Sequence, residues 1–297
     1  MTEINGRAAV VTGGGSGIGR GLAEELARRG ARVAVADIKL ENARATVDRI
    51  TVAGGEAVAI HCDVCDRHSI RAMQQAATQA LGPVTLVFAN AGATSYTHLV
   101  DMSDDDVDWI IHVNLMGVIY TTRAFLPDMI KAAGGGHIVA TASMAGLLPA
   151  WIPVHVPYSS AKAGIIGFMM NLQMEMRAHN IFTTSYCPGA VASGMKNNNG
   201  SYRPRRFGGP EPVAEVQFAG NDTTHSDLKF YKPSDIAPIV LRAVKNNRPF
   251  VFDHADQRRL FRETYSSVVE ACFDEIDAWE AEHGTPAGNP TGAALIE

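Results

Sequence analysis

The feature that most constrains this chain is an alternation of short β-branched runs with longer amphipathic stretches, with a glycine-rich turn after the first run. Arg7 to Thr12, Arg32 to Asp37, Ala57 to Cys62 and Val84 to Ala89 read as strands, and helical periodicity fills the intervals. Strands joined through helices run parallel, and right-handed crossovers then place helices on both faces of the sheet. His137 to Thr141, Ile181 to Cys187 and Phe250 to Phe252 continue the pattern, with a long helix starting near Tyr158. The expected fold is α/β, a doubly wound parallel sheet of about seven strands.

A chain of 297 residues can hold one large α/β domain or two small ones. The strand rhythm shows no break, so residues 1–252 are expected to form one domain and 253–297 a C-terminal helical extension and tail. The stretch from Asn197 to Lys232, rich in Asn, Gly, Pro and Ser, leaves the rhythm and reads as a loop or lid over a site. From Asp253 to His283 helical periodicity returns, with Leu260, Tyr265, Val269, Phe273, Ile276 and Trp279 along it.

The formal charge of −5 includes no basic block, so no nucleic acid or anionic membrane partner is expected. The N-terminus lacks the flank of a signal peptide and no run is long enough to span a bilayer, which points to the cytoplasm. The four cysteines, Cys62, Cys65, Cys187 and Cys272, are too scattered for a disulfide framework. Cys62 and Cys65 spell CxxC, but with only His61 and His68 nearby no metal site is expected.

After the first strand comes Thr12-Gly13-Gly14-Gly15-Ser16-Gly17-Ile18-Gly19, leading into a helix. Such a turn lets backbone amides and a helix N-terminus approach a pyrophosphate; its bland alternative is a tight connection. The spacing is TGxxxGxG rather than GxGxxG. Asp37 ends the second strand, where a carboxylate accepts hydrogen bonds from both adenosine ribose hydroxyls. That favours NAD, because a 2′-phosphate would meet the carboxylate and neither Ser16 nor Ile38 offers a compensating cation. Asp63-Val64 and Asn90-Ala91-Gly92 follow the third and fourth strands at the same sheet edge.

Tyr158 and Lys162 stand four apart at a helix start, hence on one face. A phenol is a poor base at neutral pH until a nearby ammonium stabilises its phenolate. Such a pair is also a common surface contact, so its place beside the sheet edge carries the argument. Ser143, just past the fifth strand, can polarise a substrate oxygen or simply cap a turn. Asn114 lies in an apolar helical run, where its amide needs partners.

Taken together, TGGGSGIG, Asp37, Asp63, Asn90-Ala91-Gly92, Asn114, Ser143, Tyr158 with Lys162, and Pro188-Gly189 resemble the short-chain dehydrogenases/reductases over Gly6 to Phe252. The resemblance implies a single-domain Rossmann fold, a hydride moved between nicotinamide and a secondary alcohol or ketone, and an Asn-Ser-Tyr-Lys tetrad. Tyr158 would be the acid/base and Ser143 would orient the substrate oxygen. Lys162 would lower the tyrosine pKa and bind the ribose, and Asn114 would hold a relay water. Asp63 and Val64 would contact adenine, Asn90 and Gly92 would lie along the cofactor, and Val191 would meet the carboxamide. The chain departs from the family's NNAG in having Ala89 before Asn90, which puts the stability of that turn in question.

Leu147, Leu148, Trp151, Val154 and Met195 are expected to wall an apolar substrate pocket, with Trp151 and Met195 touching substrate; packing of the loop is the alternative. HVNLMGVI and the long C-terminal helix are similar to bacterial dehydrogenases of benzylic alcohols in aryl ethers, so a bulky aromatic or hydrophobic alcohol is the expected substrate. Family members commonly assemble through the helices bearing Asn114 and Tyr158, which implies a homo-oligomer, dimer or tetramer. The competing functions are an NADPH-dependent ketone or 3-oxoacyl reductase and a catalytically silent nucleotide-sensing or scaffold protein.

Overall fold

The computed structural model describes residues 1–94, 96–132, 134–148, 154–195, 198–210 and 229–285. Its contacts separate the chain into two units, Met1–Ala255 and Asp256–Glu297.

Among the described residues the first unit holds seven strands: β1 (Ala8–Thr12), β2 (Arg32–Asp37), β3 (Glu56–His61), β4 (Val84–Ala89), β5 (Gly136–Thr141), β6 (Ile181–Cys187) and β7 (Phe250–Phe252). All pair in parallel in the order β3-β2-β1-β4-β5-β6-β7. The run Ala-Ala-Val-Val-Thr of β1 is buried throughout, as a central strand covered on both faces requires. The helices of this unit are α1 (Gly17–Arg28), α2 (Leu40–Val52), α3 (Arg67–Leu81), α4 (Asp104–Ile111), α5 (Gly117–Lys131), α6 (Val156–Met176), α7 (Asn198–Tyr202) and α8 (Pro233–Lys245).

Leu22 and Leu26 of α1 pack with Ile236, Val240 and Leu241 of α8 over Val11, Val33 and Phe88 of the sheet. A smaller apolar cluster joins Ala93, Trp109, Ile110, Ala145, Tyr158 and Phe207. Strand order reverses between β1 and its neighbours β2 and β4, so the loops after these strands splay apart at their C-terminal ends. In a doubly wound sheet that crevice is where ligands bind.

The second unit contains α9 (Gln257–Phe261), a π turn at Arg262–Ser266 and α10 (Ser267–His283). The C-terminal helical pattern thus begins at Gln257 rather than at Asp253, because Asp253 and His254 are both buried in the first unit. No helix among the described residues is long and apolar enough to cross a membrane.

Candidate active site

The crevice is a cleft with an empty volume of about 850 Å³, counting the part open to solvent. The β1–α1 turn forms its floor through Gly13, Ser16, Gly17 and Ile18. Gly13 has φ +63° and an added Cβ would lie 2.9 Å from Ala91 Cα; Gly17 has φ +49° and its Cβ would lie 2.8 Å from Ser193 O. Neither position admits a side chain, so the turn presents bare backbone. Ser16 precedes α1 in extended conformation without a side-chain cap, and Gly19 sits in the first turn. The positive end of α1 therefore faces the cleft, which is the arrangement that receives phosphate.

Asp37 is 4% exposed at the end of β2. Its carboxylate accepts from Gly15 N at 2.9 Å and Lys39 N at 3.0 Å. Burial pushes its pKa up and these two backbone amides oppose the shift. Asp63 and Val64 line the same wall. Asp63 accepts from Cys65 N at 2.9 Å and from Arg206 Nη2 at 2.7 Å.

The Ala89-Asn90 departure is resolved by geometry. Asn90 N donates to Thr12 Oγ1 at 3.0 Å, Asn90 Nδ2 donates to Thr12 O at 3.1 Å, and Thr141 Oγ1 donates to Asn90 Oδ1 at 3.0 Å. One side chain thus ties β1, β4 and β5 together at the mouth of the cleft, and the turn at Gly92 is held without a preceding Asn.

Asn114 lies in a π turn, His112–Met116, between α4 and α5. Such bulges recur at functional sites. Its Nδ2 donates to Ala93 O and Ile110 O, both at 2.8 Å. Its Oδ1 lies against Gly92, buried and without a hydrogen-bond partner. An orphaned acceptor in a polar recess is the environment that holds a water.

At the reacting end, Ser143 follows β5 and accepts from Ala145 N at 3.1 Å, so it does cap a turn. It also hydrogen-bonds Tyr158, whose phenol burial otherwise pushes well above its ordinary range. Lys162 Nζ donates to Thr141 O at 2.7 Å and stands 5.4 Å from the centre of the Tyr158 ring. Burial lowers the Lys162 pKa to about 7. The structure thus brings Ser143, Tyr158 and Lys162 together. Burial raises the phenol's pKa and the Ser143 hydrogen bond opposes that rise, while the Lys162 amino group is turned toward the Thr141 carbonyl.

Met195 lines the cleft, and its Sδ lies 3.8 Å from the Tyr158 hydroxyl. Leu148 is buried and Leu147 and Val154 are half-buried beside the site, whereas Trp151 lies outside the described residues. Pro188 O accepts from Met144 N at 3.0 Å, and Val191 bridges to Tyr231.

Three groups escape a reading of the sequence. Asp253 accepts from Tyr186 Oη at 2.6 Å and from Gly189 N at 2.8 Å, and contacts His254 Nδ1 at 2.6 Å, so a buried carboxylate fixes the turn after β6. His155, three residues before Tyr158, stacks between Tyr96 and Tyr158 with ring centres 4.6 and 4.8 Å away. Its Nε2 meets Thr94 Oγ1 at 2.8 Å and burial lowers its pKa to about 4. The third group is Lys39, Tyr202 and Arg206, which lie at the Asp37 end. Among the described residues no three His, Cys, Asp or Glu side chains are placed to hold a metal ion. Burial raises the Cys62 and Cys65 thiols to about 12, which keeps both protonated.

This geometry coincides with what comparison with known proteins finds. Residues 7–203 match the family model described as short chain dehydrogenase. The chain belongs to the short-chain dehydrogenases/reductases. It is 30% identical over 268 residues to (−)-trans-carveol dehydrogenase of Rhodococcus erythropolis, covering 84% of this chain and 95% of that one. It is 27% identical over 273 residues to a C alpha-dehydrogenase of Sphingobium, covering 91% and 88%. A short-chain dehydrogenase/reductase from Burkholderia phymatum, crystallised in complex with NAD, is 30% identical and superposes with a TM-score of 0.79 over 88% of this chain and 94% of that one. Family membership makes the chain an oxidoreductase of Rossmann-type fold with a cleft for a nicotinamide cofactor.

Proposed function

We propose that this oxidoreductase uses NAD to interconvert a bulky hydrophobic secondary alcohol and its ketone, with Tyr158 as the acid/base. The observation that carries the reading is the Ser143–Tyr158–Lys162 cluster at the far end of a cleft that begins at Asp37. Gly13 to Gly19 would hold the pyrophosphate, Asp37 the adenosine ribose, Asp63 and Val64 the adenine. Asn90 and Gly92 would lie along the dinucleotide, and Pro188, Gly189 and Val191 would flank the nicotinamide. The bound cofactor supplies the hydride acceptor or donor at nicotinamide C4.

Ser143 donates to the substrate oxygen and aligns it with Tyr158. Tyr158 takes the hydroxyl proton during oxidation and returns it during reduction. Lys162, which lines the cleft and donates to Thr141 O, would grip the nicotinamide ribose, and as an ammonium it would stabilise the phenolate. Asn114 Oδ1 holds the water that passes the proton outward from Lys162. Met195 must swing off Tyr158 to admit the substrate oxygen, and its thioether then covers the apolar part of the substrate.

A hydrophobic alcohol is supported by the apolar surroundings of Tyr158, among them Ala145, Trp109, Phe207 and Met195, and by a relative named for (−)-trans-carveol. A second reading, reduction with NADPH, draws on Lys39, whose ammonium stands 4.9 Å over the Tyr202 ring near Asp37. The intact tetrad speaks against a silent nucleotide sensor. The same proposal has the enzyme working in the cytoplasm as a homo-oligomer, dimer or tetramer, on a domain of residues 1–252 with 253–297 as an extension. The test is nicotinamide reduction with NAD or NADP across aromatic, terpenoid, steroid and aliphatic secondary alcohols. Turnover with NAD and the bulky alcohols is expected; turnover with NADP alone, or with small aliphatic alcohols alone, contradicts the reading.

A further inference from the structure

The Asp37 end of the cleft is closed by residues that the glycine turn does not require. Together with Asp37, Ile38 and Asp63, the cleft is lined by Tyr202 and Pro204 from the segment after β6. That segment is tied down at three places around the adenosine end. Asn42 Nδ2 of α2 donates to Tyr202 Oη at 2.9 Å, with Lys39 over the same ring. Arg206 Nη2 donates to Asp63 Oδ2 at 2.7 Å. Arg203, its side chain 1% exposed, donates through Nη1 to Asp106 Oδ1 of α4 at 2.8 Å.

The pattern has a physical direction. A buried Arg–Asp pair costs desolvation and holds only in good geometry, so Arg203–Asp106 fixes where the segment starts. Phe207 joins the Trp109 and Tyr158 cluster and fixes where it ends. Immediately before the first anchor, Tyr202 presents an aromatic ring to the cleft that Asp37 also lines, and between the two anchors the Arg206 guanidinium is paired to Asp63. A flat apolar ring suits a purine face. A guanidinium offers donors to purine ring nitrogens while Asp63 accepts from the exocyclic amine.

We propose that Tyr202 and Arg206 are cofactor-binding residues that clamp the adenosine half of the dinucleotide, Tyr202 covering its pocket opposite Asp37 and Arg206 locking the clamp to Asp63. The proposal rests on the reading of the cleft as a dinucleotide site. It makes opening of the segment a condition for cofactor release, while the nicotinamide half is held independently.

The test is calorimetric titration of NAD, adenosine monophosphate and nicotinamide mononucleotide into the full chain and into Tyr202→Ala, Tyr202→Phe and Arg206→Ala. Stopped-flow measurement of NAD dissociation and a thermal melt of each variant accompany it. Tyr202→Ala is expected to weaken NAD and adenosine monophosphate by about tenfold while leaving nicotinamide mononucleotide unchanged. Tyr202→Phe, which keeps the ring and loses only the Asn42 bond, should fall between, and Arg206→Ala should speed NAD dissociation. Unchanged binding of NAD and adenosine monophosphate in both alanine variants overturns the clamp and leaves the dinucleotide reading standing. Equal weakening of both mononucleotides also overturns it, since a clamp on one half cannot act on the other. Failure of the unaltered chain to bind NAD or NADP overturns both readings.

Discussion

At the glycine-turn end of the cleft the surface belongs to backbone, whereas at the Tyr158 end it belongs to side chains buried so deeply that their pKa values are shifted. Gly13 and Gly17 sit in left-handed conformations with no room for a Cβ, and the residues that fix them, Ala91 and Ser193, come from other loops. Tyr158 and Lys162 are 6% and 1% exposed, and burial drives the phenol up and the ammonium down. The first region binds by shape that folding has already set. The second carries shifted protonation equilibria, with the Lys162 pKa brought down to about 7 by burial. One end is fixed by backbone geometry and the other by the burial of ionisable groups.

Lys162→Met should widen that contrast most. Turnover is expected to fall by about 10²-fold or more, since proton transfer through Tyr158 loses its electrostatic support. Thermal stability at neutral pH should not fall in step. The unfolded chain keeps the lysine protonated up to its ordinary pKa of 10.5, whereas the folded chain releases the proton near 7, so this group makes the native state more stable as pH rises through that window. A thermal melt and a steady-state assay on the same sample separate the two effects; parallel losses would mean that the lysine is structural.

Asp37→Asn sharpens the rigid end. Removing the charge should cost NAD about 10- to 100-fold in kcat/KM and narrow the gap to NADP, with Lys39 then free to meet a 2′-phosphate. The ratio of the two cofactors' kcat/KM reads this directly, and an unchanged ratio would remove Asp37 from the ribose site.

Asn90→Ala breaks the tie between the ends. Its two side-chain hydrogen bonds, to Thr12 O of β1 and from Thr141 Oγ1 of β5, are lost while the backbone bond to Thr12 Oγ1 stays, which should lower stability by about 1–3 kcal/mol in denaturant unfolding. Cofactor affinity and turnover should decline together.

The last expected effect emerges only in acid. Burial lowers the folded-state pKa of His155 to about 4 and of His137 to about 3, below the usual 6.5. As pH falls the unfolded chain takes up these protons first. Stability is complete above about 6.5 and declines below it by about 1.4 kcal/mol per pH unit for each histidine. His155→Gln should flatten the stability profile between 6.5 and 4 relative to the unaltered chain.

The sheet was legible because its strands are uninterrupted β-branched runs, so β2, β4, β6 and β7 start and stop where the pattern does and β3 is displaced by one residue. The cluster of Ser143, Tyr158 and Lys162 was legible only jointly, as a series of weak motifs in one order. What escaped has a common cause, since it depends on contacts between segments distant in sequence. Asp253 reads as the start of a helix until Tyr186 and Gly189 are seen on its carboxylate. Tyr202 and Arg206 read as polar loop until Asn42 and Asp63 are found beside them. His155 offered a signal, a histidine three residues before Tyr158 in an apolar stretch, but its stacking partner Tyr96 lies after another strand. The orientation of Lys162 toward Thr141 O depends on burial, which spacing does not encode.

The most direct test of the central claim is hydride transfer in Tyr158→Phe, followed by the absorbance of reduced nicotinamide with NAD and an alcohol that the unaltered enzyme oxidises. Loss of turnover by about 10²- to 10⁴-fold with NAD affinity retained is the result expected of an acid/base whose ring only borders the cofactor site. Turnover near that of the unaltered enzyme would show that the proton leaves by another route and that the Ser143–Tyr158–Lys162 cluster is not the reacting end.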